Sequence, residues 1–444
     1  MDFIDARRAA LAAVALTLSA LGPIRAAEEL PGPAPLTPEA AAREAVRSNP
    51  EISAARAAVE AARGRLVQAG LWENPELTLA GRSDFAFRNE GERNVGVDVT
   101  QRFPVAGRLA RQRDVARVEV AIALAEVRDA ERTLIGETQQ AVYALLSLDA
   151  ALASRDKVLR IAGELARTAS RRLEAAEVSE ADVNLLEIER ARFEQEQRLL
   201  QLERGAAAVR LNRLLNRPAD APLEVAGAID APAFATTADT LATAEMRRPD
   251  LQRLRLESDR ASAEARLARA ETWEDWTFGA GFESERAVFR AEPASDPIGV
   301  KKDEFLGLSL SVPLPLWNRN QGRIAEARAS ERRAQALLAS ALRRVGAEVE
   351  TAALRIRELS RVAHEYETSV LPRSRRTVEL LEGGYRQGLV PITTLVQAEQ
   401  QLAESELARA RMLGELRSAE VELETATALA PLLERARQDA EEQP

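Results

Sequence analysis

Asn94-Val95-Gly96-Val97-Asp98-Val99-Thr100-Gln101-Arg102-Phe103-Pro104-Val105-Ala106-Gly107-Arg108 decides the fold. Valines at alternate positions face one way, and Asn94, Gly96, Asp98 and Thr100 face the other, which is the period of a strand. Pro104 ends the ladder, and from Gly107 to Glu177 nothing breaks a helix. The same order returns in Leu306-Gly307-Leu308-Ser309-Leu310-Ser311-Val312-Pro313-Leu314-Pro315-Leu316, where a second uninterrupted stretch begins near Asn320.

Each of these strands has a partner upstream. Leu77, Leu79, Phe85 and Phe87 alternate in the first copy, and Phe278, Ala280 and Phe282 in the second. Further matches tie the halves together. Asn49-Pro50-Glu51-Ile52 recurs as Arg248-Pro249-Asp250-Leu251, and Leu185-Leu186-Glu187-Ile188-Glu189 as Leu395-Val396-Gln397-Ala398-Glu399. Matched segments lie roughly 200 to 210 residues apart, a spacing of duplicated domains rather than solenoid units. Strands of about ten residues with one apolar face fit a membrane barrel wall. A half-buried sheet of a soluble domain has the same period.

The helices are long. Seventy residues at 1.5 Å each span roughly 105 Å. Leu338, Leu342, Val345, Val349, Ala352, Ile356, Leu359, Ala363, Tyr366 and Val370 step by four and three, as do Leu134, Thr138, Ala141, Leu145, Leu148 and Leu152, a coiled-coil seam. Pro372 is expected to bend the second helix. A helix before the first strands is expected from Thr37-Pro38 to about Leu71.

The expected division runs as follows. Residues 1–27 read as an export signal, with Arg7-Arg8, an apolar run from Ala9 to Leu21, and cleavage near Ala26-Ala27. Residues 28–38 form a Pro-rich linker. The first repeat covers 39–215, with strands at about 75–103 and a long helix at about 107–177. A connector follows at 216–240. The second repeat covers 241–430, with strands at about 276–313 and a long helix at about 320–383, and 431–444 form a tail.

Composition excludes several classes. The net charge is −9 with acidic and basic residues interspersed, which argues against nucleic acid as a partner. There is no cysteine, and His364, the one histidine, sits in a heptad run as a solvent-facing or packing residue. No nucleophile–base pair, phosphate-binding glycine loop or metal-ligand cluster is recognisable, so neither enzyme activity nor a cofactor is expected.

Four strands cannot close a membrane barrel, whose smallest members need eight. Open edges in lipid leave backbone groups unpaired at several kcal/mol each. Several chains must therefore share one barrel, with their long helices continuing the wall as a tube. A periplasmic coiled-coil scaffold is the competing reading, separated from a conduit by whether the chain fractionates with the outer membrane.

The element order and motifs resemble the TolC family of outer-membrane efflux proteins. Gln101-Arg102-Phe103-Pro104-Val105-Ala106-Gly107-Arg108 and Tyr385-Arg386-Gln387-Gly388 carry the likeness, which covers essentially the whole mature chain. Val312-Pro313-Leu314-Pro315-Leu316-Trp317-Asn318-Arg319-Asn320-Gln321-Gly322, with Trp273-Glu274-Asp275-Trp276-Thr277, is similar to the cobalt–zinc–cadmium resistance branch. Asn318 is expected to cap the helix there.

The resemblance implies a mainly α chain with a transmembrane β-barrel portion. Three copies would make a 12-stranded β-barrel and a periplasmic α-helical barrel in the outer membrane of a Gram-negative cell. It also implies a passive channel working through a periplasmic adaptor with an inner-membrane pump of the RND type, exporting metal cations or, alternatively, organic solutes. Adaptor contact is expected at Glu177, Val178, Ser179, Gly388, Leu389 and Val390. Some relatives gate the periplasmic mouth with paired aspartates. The matching positions are Thr394 and Gln397, with Asp182 and Glu187 in the first copy, so a weaker, hydrogen-bonded closure is expected. Many relatives carry a lipid-bearing cysteine; here the barrel alone would anchor the chain.

Overall fold

The computed structural model describes residues 35–86, 91–229, 240–289 and 299–428. The signal region, most of the linker, Phe87, part of the connector and the C-terminal tail lie outside the described residues.

The first copy opens with α1 (Pro38–Ser48) and α2 (Pro50–Gln68). The Thr37 hydroxyl accepts a hydrogen bond from the Ala40 N–H at 3.2 Å, and Pro38 occupies the first helical position. The single helix expected from Thr37 to Leu71 is two helices. A residue before proline is pushed out of the helical region, and Asn49 is extended (φ −70°, ψ 125°). Its side-chain oxygen then accepts from the Glu51 N–H at 2.8 Å and starts α2 afresh. The repeat unit Asn49-Pro50 is thus a helix break, and Arg248-Pro249 does the same between α5 (Thr240–Arg247) and α6 (Pro249–Ala270).

Strands β1 (Glu76–Ser83), β2 (Arg93–Phe103), β3 (Trp276–Phe289) and β4 (Gly299–Ser311) form one antiparallel sheet in the order β1-β2-β3-β4. The two hairpins are joined through β2 and β3, leaving β1 and β4 as edges.

Below the sheet, α3 (Arg108–Glu174) runs for 67 residues, about 100 Å. It turns at the first tip into α4 (Glu180–Leu214). The second copy descends through α7 (Gln321–Glu365), a π-helical turn at Tyr366–Val370 and α8 (Leu371–Arg386), and returns as α9 (Ile392–Thr427). Pro372 has no N–H for the helix ladder, and the π turn sits just ahead of it. The extra residue shifts the seam by one. Buried positions run Ala341, Val345, Val349, Ala352, Ile356 and Ala363, then resume at Leu371 and Val378. Val370, expected in the seam, is exposed for that reason.

Packing is spread along the helices. One apolar cluster gathers Ile52, Leu134, Val142, Leu145 and Leu211; a second gathers Leu251, Val345, Val349, Ile356 and Leu423. Close approach of α3 and α9 depends on Gly414, where a Cβ would lie 2.6 Å from the Ser147 Cβ. Among the described residues no helix is long and apolar enough to cross a membrane.

Candidate functional site

The sheet sorts its side chains by register. Leu77, Val99, Ala280 and Leu308 form one cross-strand row, and Leu79, Val97, Phe282 and Leu306 the next on the same face. All but Ala280 are large apolar residues left exposed, with Leu306 at 81% and Leu79 at 71%. The opposite face carries Thr78, Asp98, Gly281 and Gly307 in one row, and Ala80, Gly96, Glu283 and Phe305 in another. Such a sheet does not cover its apolar face with its own helices, as a soluble domain would.

The four tryptophans of the chain lie at the helix end of the sheet: Trp72 ahead of β1, Trp273 and Trp276 at the start of β3, and Trp317 after β4. Trp72 meets Phe103 edge-to-face at 5.7 Å between centroids, and Trp317 is 87% exposed. Amphipathic rings collected at one level mark a membrane–water boundary. At this level the two sequence motifs meet. Arg108 Nε donates to Asp275 Oδ1 at 3.0 Å, linking the strand-to-helix turn of one copy to the strand start of the other. Gly107 (φ 70°) and Asn320 (φ 58°) hold equivalent left-handed positions before α3 and α7. Asn318, expected as the cap, instead accepts from the Asn320 N–H at 3.0 Å in a turn ahead of the helix.

At the far end both tips lie together, packed through Ala166, Ala169, Leu186 and Ile392. Each long helix stops in the same way. At the second tip the Leu389 N–H donates to the Gly384 carbonyl (2.9 Å) and the Gly388 N–H to the Tyr385 carbonyl (3.0 Å), with Gly388 at φ 74°. At the first, Glu177 donates to Arg172 (2.8 Å) and Ala176 to Leu173 (2.9 Å), but the left-handed residue is Ala176 at φ 59°. Leu389 is 75% exposed, and Glu177, Ser179 and Gly388 are exposed, with Val178 and Val390 partly covered.

The gate candidates divide. Thr394 and Gln397 are exposed on the first turns of α9. Asp182 is engaged in a capping box, accepting from the Ser179 N–H at 3.3 Å while the Ser179 hydroxyl accepts from the Asp182 N–H at 3.2 Å. Glu187 pairs with Arg190 at 3.0 Å.

One group escaped the sequence reading. Glu189 and Glu399 line the same small cavity between α3, α4 and α9, otherwise walled by Val158, Leu165, Leu186, Phe193 and Val396. Glu399 is buried, with no hydrogen-bond or ion-pair partner among the described residues. Burial, and then the charges of Glu382 and Glu406, push its carboxyl up to about 6. Glu189 Oε2 is buried without a hydrogen bond among the described residues, and Arg192 Nη1 stands 3.7 Å away. The two are repeat-equivalent: glutamate closes both Leu185-Leu186-Glu187-Ile188-Glu189 and Leu395-Val396-Gln397-Ala398-Glu399.

A girdled sheet above a long helical stem defines a membrane-anchored conduit. Residues 41–217 and 240–429 match the outer membrane efflux protein family, and the chain belongs to it. It is accordingly an outer-membrane efflux channel component of tripartite export systems rather than an enzyme. The cobalt-zinc-cadmium resistance protein CzcC of Cupriavidus metallidurans is 25% identical over 296 residues. That match spans 66% of this chain and 66% of that protein. Among solved structures, the Campylobacter jejuni CmeC outer membrane channel superposes with a TM-score of 0.72 at 12% identity, covering 91% of this chain and 89% of that one. The channel protein CusC gives 0.71 at 16%, covering 88% and 91%. The outer membrane protein VceC of Vibrio cholerae gives 0.69 at 18%, covering 88% and 95%. These three establish a shared fold.

Proposed function

We propose that three copies of this chain form an outer-membrane duct that passes divalent heavy-metal cations of the cobalt, zinc and cadmium kind. The sheet ends in two unpaired edges, β1 and β4, and in lipid each must find a partner. Twelve strands from three chains close one barrel, with the apolar rows outside and the polar rows lining the lumen.

The observation that carries the cargo is the charge of that inner face. Glu76, Asp98, Glu283, Glu285 and Asp303 share it with Arg82, Arg102 and Lys301, so acidic groups outnumber basic ones on a surface repeated around the axis. A narrow wall with an excess of one sign concentrates the opposite ion. Similarity to CzcC supports the same reading.

The tips, with Glu177, Val178, Ser179, Gly388, Leu389 and Val390, are the surface offered to a periplasmic adaptor, which links the duct to an inner-membrane RND pump. Closure of the mouth falls to the neighbourhood of Asp182, Glu187, Thr394 and Gln397. The deciding experiment is growth of a deletion strain across graded zinc, cobalt, cadmium, nickel and copper, beside dyes and antibiotics. Hypersensitivity confined to cations is expected. Sensitivity confined to the organic panel would keep the duct and overturn the cargo.

A further inference from the structure

The lipid-facing side of the sheet does not stay apolar to its outer end. Four residues beyond the Leu79–Val97–Phe282–Leu306 row, the register brings Ser83, Arg93, Arg286 and Lys302 into one row on the same face. Three cations thus stand directly side by side on adjacent strands. Like charges placed opposite one another destabilise a sheet unless an anion lies between them. The row supplies only a partial answer of its own: Lys302 Nζ meets Glu304 at 2.8 Å, while Arg93 and Arg286 have no ion-pair partner among the described residues.

The height of the row identifies what it meets. Phe103 pairs with Trp276 at the aromatic end of β2 and β3, and Arg93 pairs with Arg286 ten residues further along both strands. Ten residues rise about 33 Å. A strand tilted by about 40° converts this to roughly 25 Å along the membrane normal, the height of an outer-membrane barrel's apolar band. The basic row therefore emerges from the hydrocarbon at the level of the outer-leaflet headgroups, on the outside of the wall and away from the lumen.

We propose that Arg93, Arg286 and Lys302 form a docking site for the phosphate groups of an anionic glycolipid in the outer leaflet. Guanidinium groups grip phosphate oxygens in a bidentate manner, and one phosphate set between Arg93 and Arg286 removes their repulsion. One row separates the cations from the apolar rows, Gly81, Val95, Ser284 and Glu304, and Lys302 takes up its carboxylate. This nearness of apolar surface favours a lipid, whose acyl chains lie along Leu79, Val97, Phe282 and Leu306 while its headgroup meets Arg93 and Arg286. The proposal rests on the membrane wall and not on the cargo.

The test uses the full-length protein, purified in detergent as its native assembly. It is incubated with bisphosphorylated lipid A, with the same glycolipid stripped of phosphate, or with inorganic phosphate, and bound lipid is counted by native mass spectrometry. The phosphorylated lipid is expected to be retained, and the Arg93→Gln/Arg286→Gln pair to bind it about tenfold more weakly. Arg93→Lys/Arg286→Lys should fall between the two, keeping the charge but not the bidentate grip. Equal retention of the dephosphorylated lipid, or an unaltered Gln pair, would overturn the proposal. Displacement of the lipid by millimolar inorganic phosphate would make the row a free-anion site and overturn the lipid assignment. The same spectra report assembly; if the Gln pair fails to assemble, the comparison of lipids on the unaltered protein still decides. Metal sensitivity is read in cells and fails or holds independently.

Discussion

The guanidinium of Arg172 lies over the ring of Tyr385, 4.9 Å from its centroid, and ties the last turns of α3 to the last turn of α8. The two tips are coupled by this contact, and the Tyr385 hydroxyl is buried without a hydrogen-bond partner among the described residues. An exposed cation–π contact contributes about 0.5–1 kcal/mol, a factor of roughly two to five in an equilibrium. Tyr385→Ala should therefore raise the open fraction of channels in planar bilayers by about that factor. Unchanged conductance would remove the contact from the closure of the mouth.

The tips also differ in strain. Ala176 adopts a left-handed conformation that Gly388 adopts freely. A side chain in that region costs about 1 kcal/mol. Ala176→Gly should raise thermal stability by about that amount, and Gly388→Ala should lower it similarly. Gly388→Trp should abolish adaptor pull-down while leaving the assembled barrel intact. An Ala176→Gly melting curve superposable on the parent's would show that the first tip relaxes in solution.

Glu399 makes the helical stem sensitive to pH. Its folded carboxyl is raised from 4.5 to about 6, so the folded state holds a proton that the unfolded chain has released. Its contribution to stability is then greatest below about pH 4.5 and is lost as the pH rises through 6, a difference on the order of 2 kcal/mol. The charged groups around it are Glu189 with Arg192, Glu382, and Glu406 with Arg375. Glu399→Gln should stabilise the protein at pH 7 and flatten the slope between pH 4.5 and 6. Urea melts at several pH values decide the matter, and an unaltered slope would assign the titration elsewhere.

Arg248 is the opposite case, a buried charge that is satisfied. It donates to both Asp250 oxygens at 2.9 and 2.7 Å and meets Glu348 at 2.5 Å. Burial alone would push the Asp250 carboxyl up, but the hydrogen bonds and charge of Arg248 outweigh it and hold it below the usual range. This contribution is present above the ordinary carboxylate pKa and is lost as pH falls through the depressed one. Arg248→Met leaves Asp250 buried without its ion-pair partner, holding only the Leu251 N–H at 2.9 Å, and should cost about 3–5 kcal/mol. The double change Arg248→Met/Asp250→Leu should recover much of that in denaturation experiments.

What the sequence exposed was whatever depends on period and punctuation. Alternating Val95, Val97 and Val99, the heptads, Gly388 at the tip and the Ser179–Asp182 capping box all follow from near neighbours. What it hid depends on a third element. The break at Asn49-Pro50 is itself local, set by the proline and the Asn49 cap; what no near neighbour reveals is its anchor, the Leu214 carbonyl that accepts from the Asn49 side chain at 3.2 Å. Glu399 lies on a helix rich in charge, and only packing against Val158, Leu186 and Phe193 distinguishes it from exposed Gln397. Val370 was misplaced because a π turn adds a residue that no heptad count reveals.

The sidedness of the sheet gives the most direct test of the wall. Leu308 and Ser309 are neighbours in β4, yet Leu308 sits in the apolar row with Ala280 and Ser309 opposite Gly279 on the polar face. Arginine on the lipid side near mid-membrane costs about 2–4 kcal/mol, whereas the water-filled side tolerates it. Leu308→Arg should sharply reduce the heat-resistant oligomer recovered from outer membranes. Ser309→Arg should assemble normally and lower cation conductance, because three new positive charges enter an acidic lumen. If the two variants exchanged phenotypes, the sheet would face the other way and the lumen would be apolar. If both assembled at parental levels, the sheet would not lie in lipid.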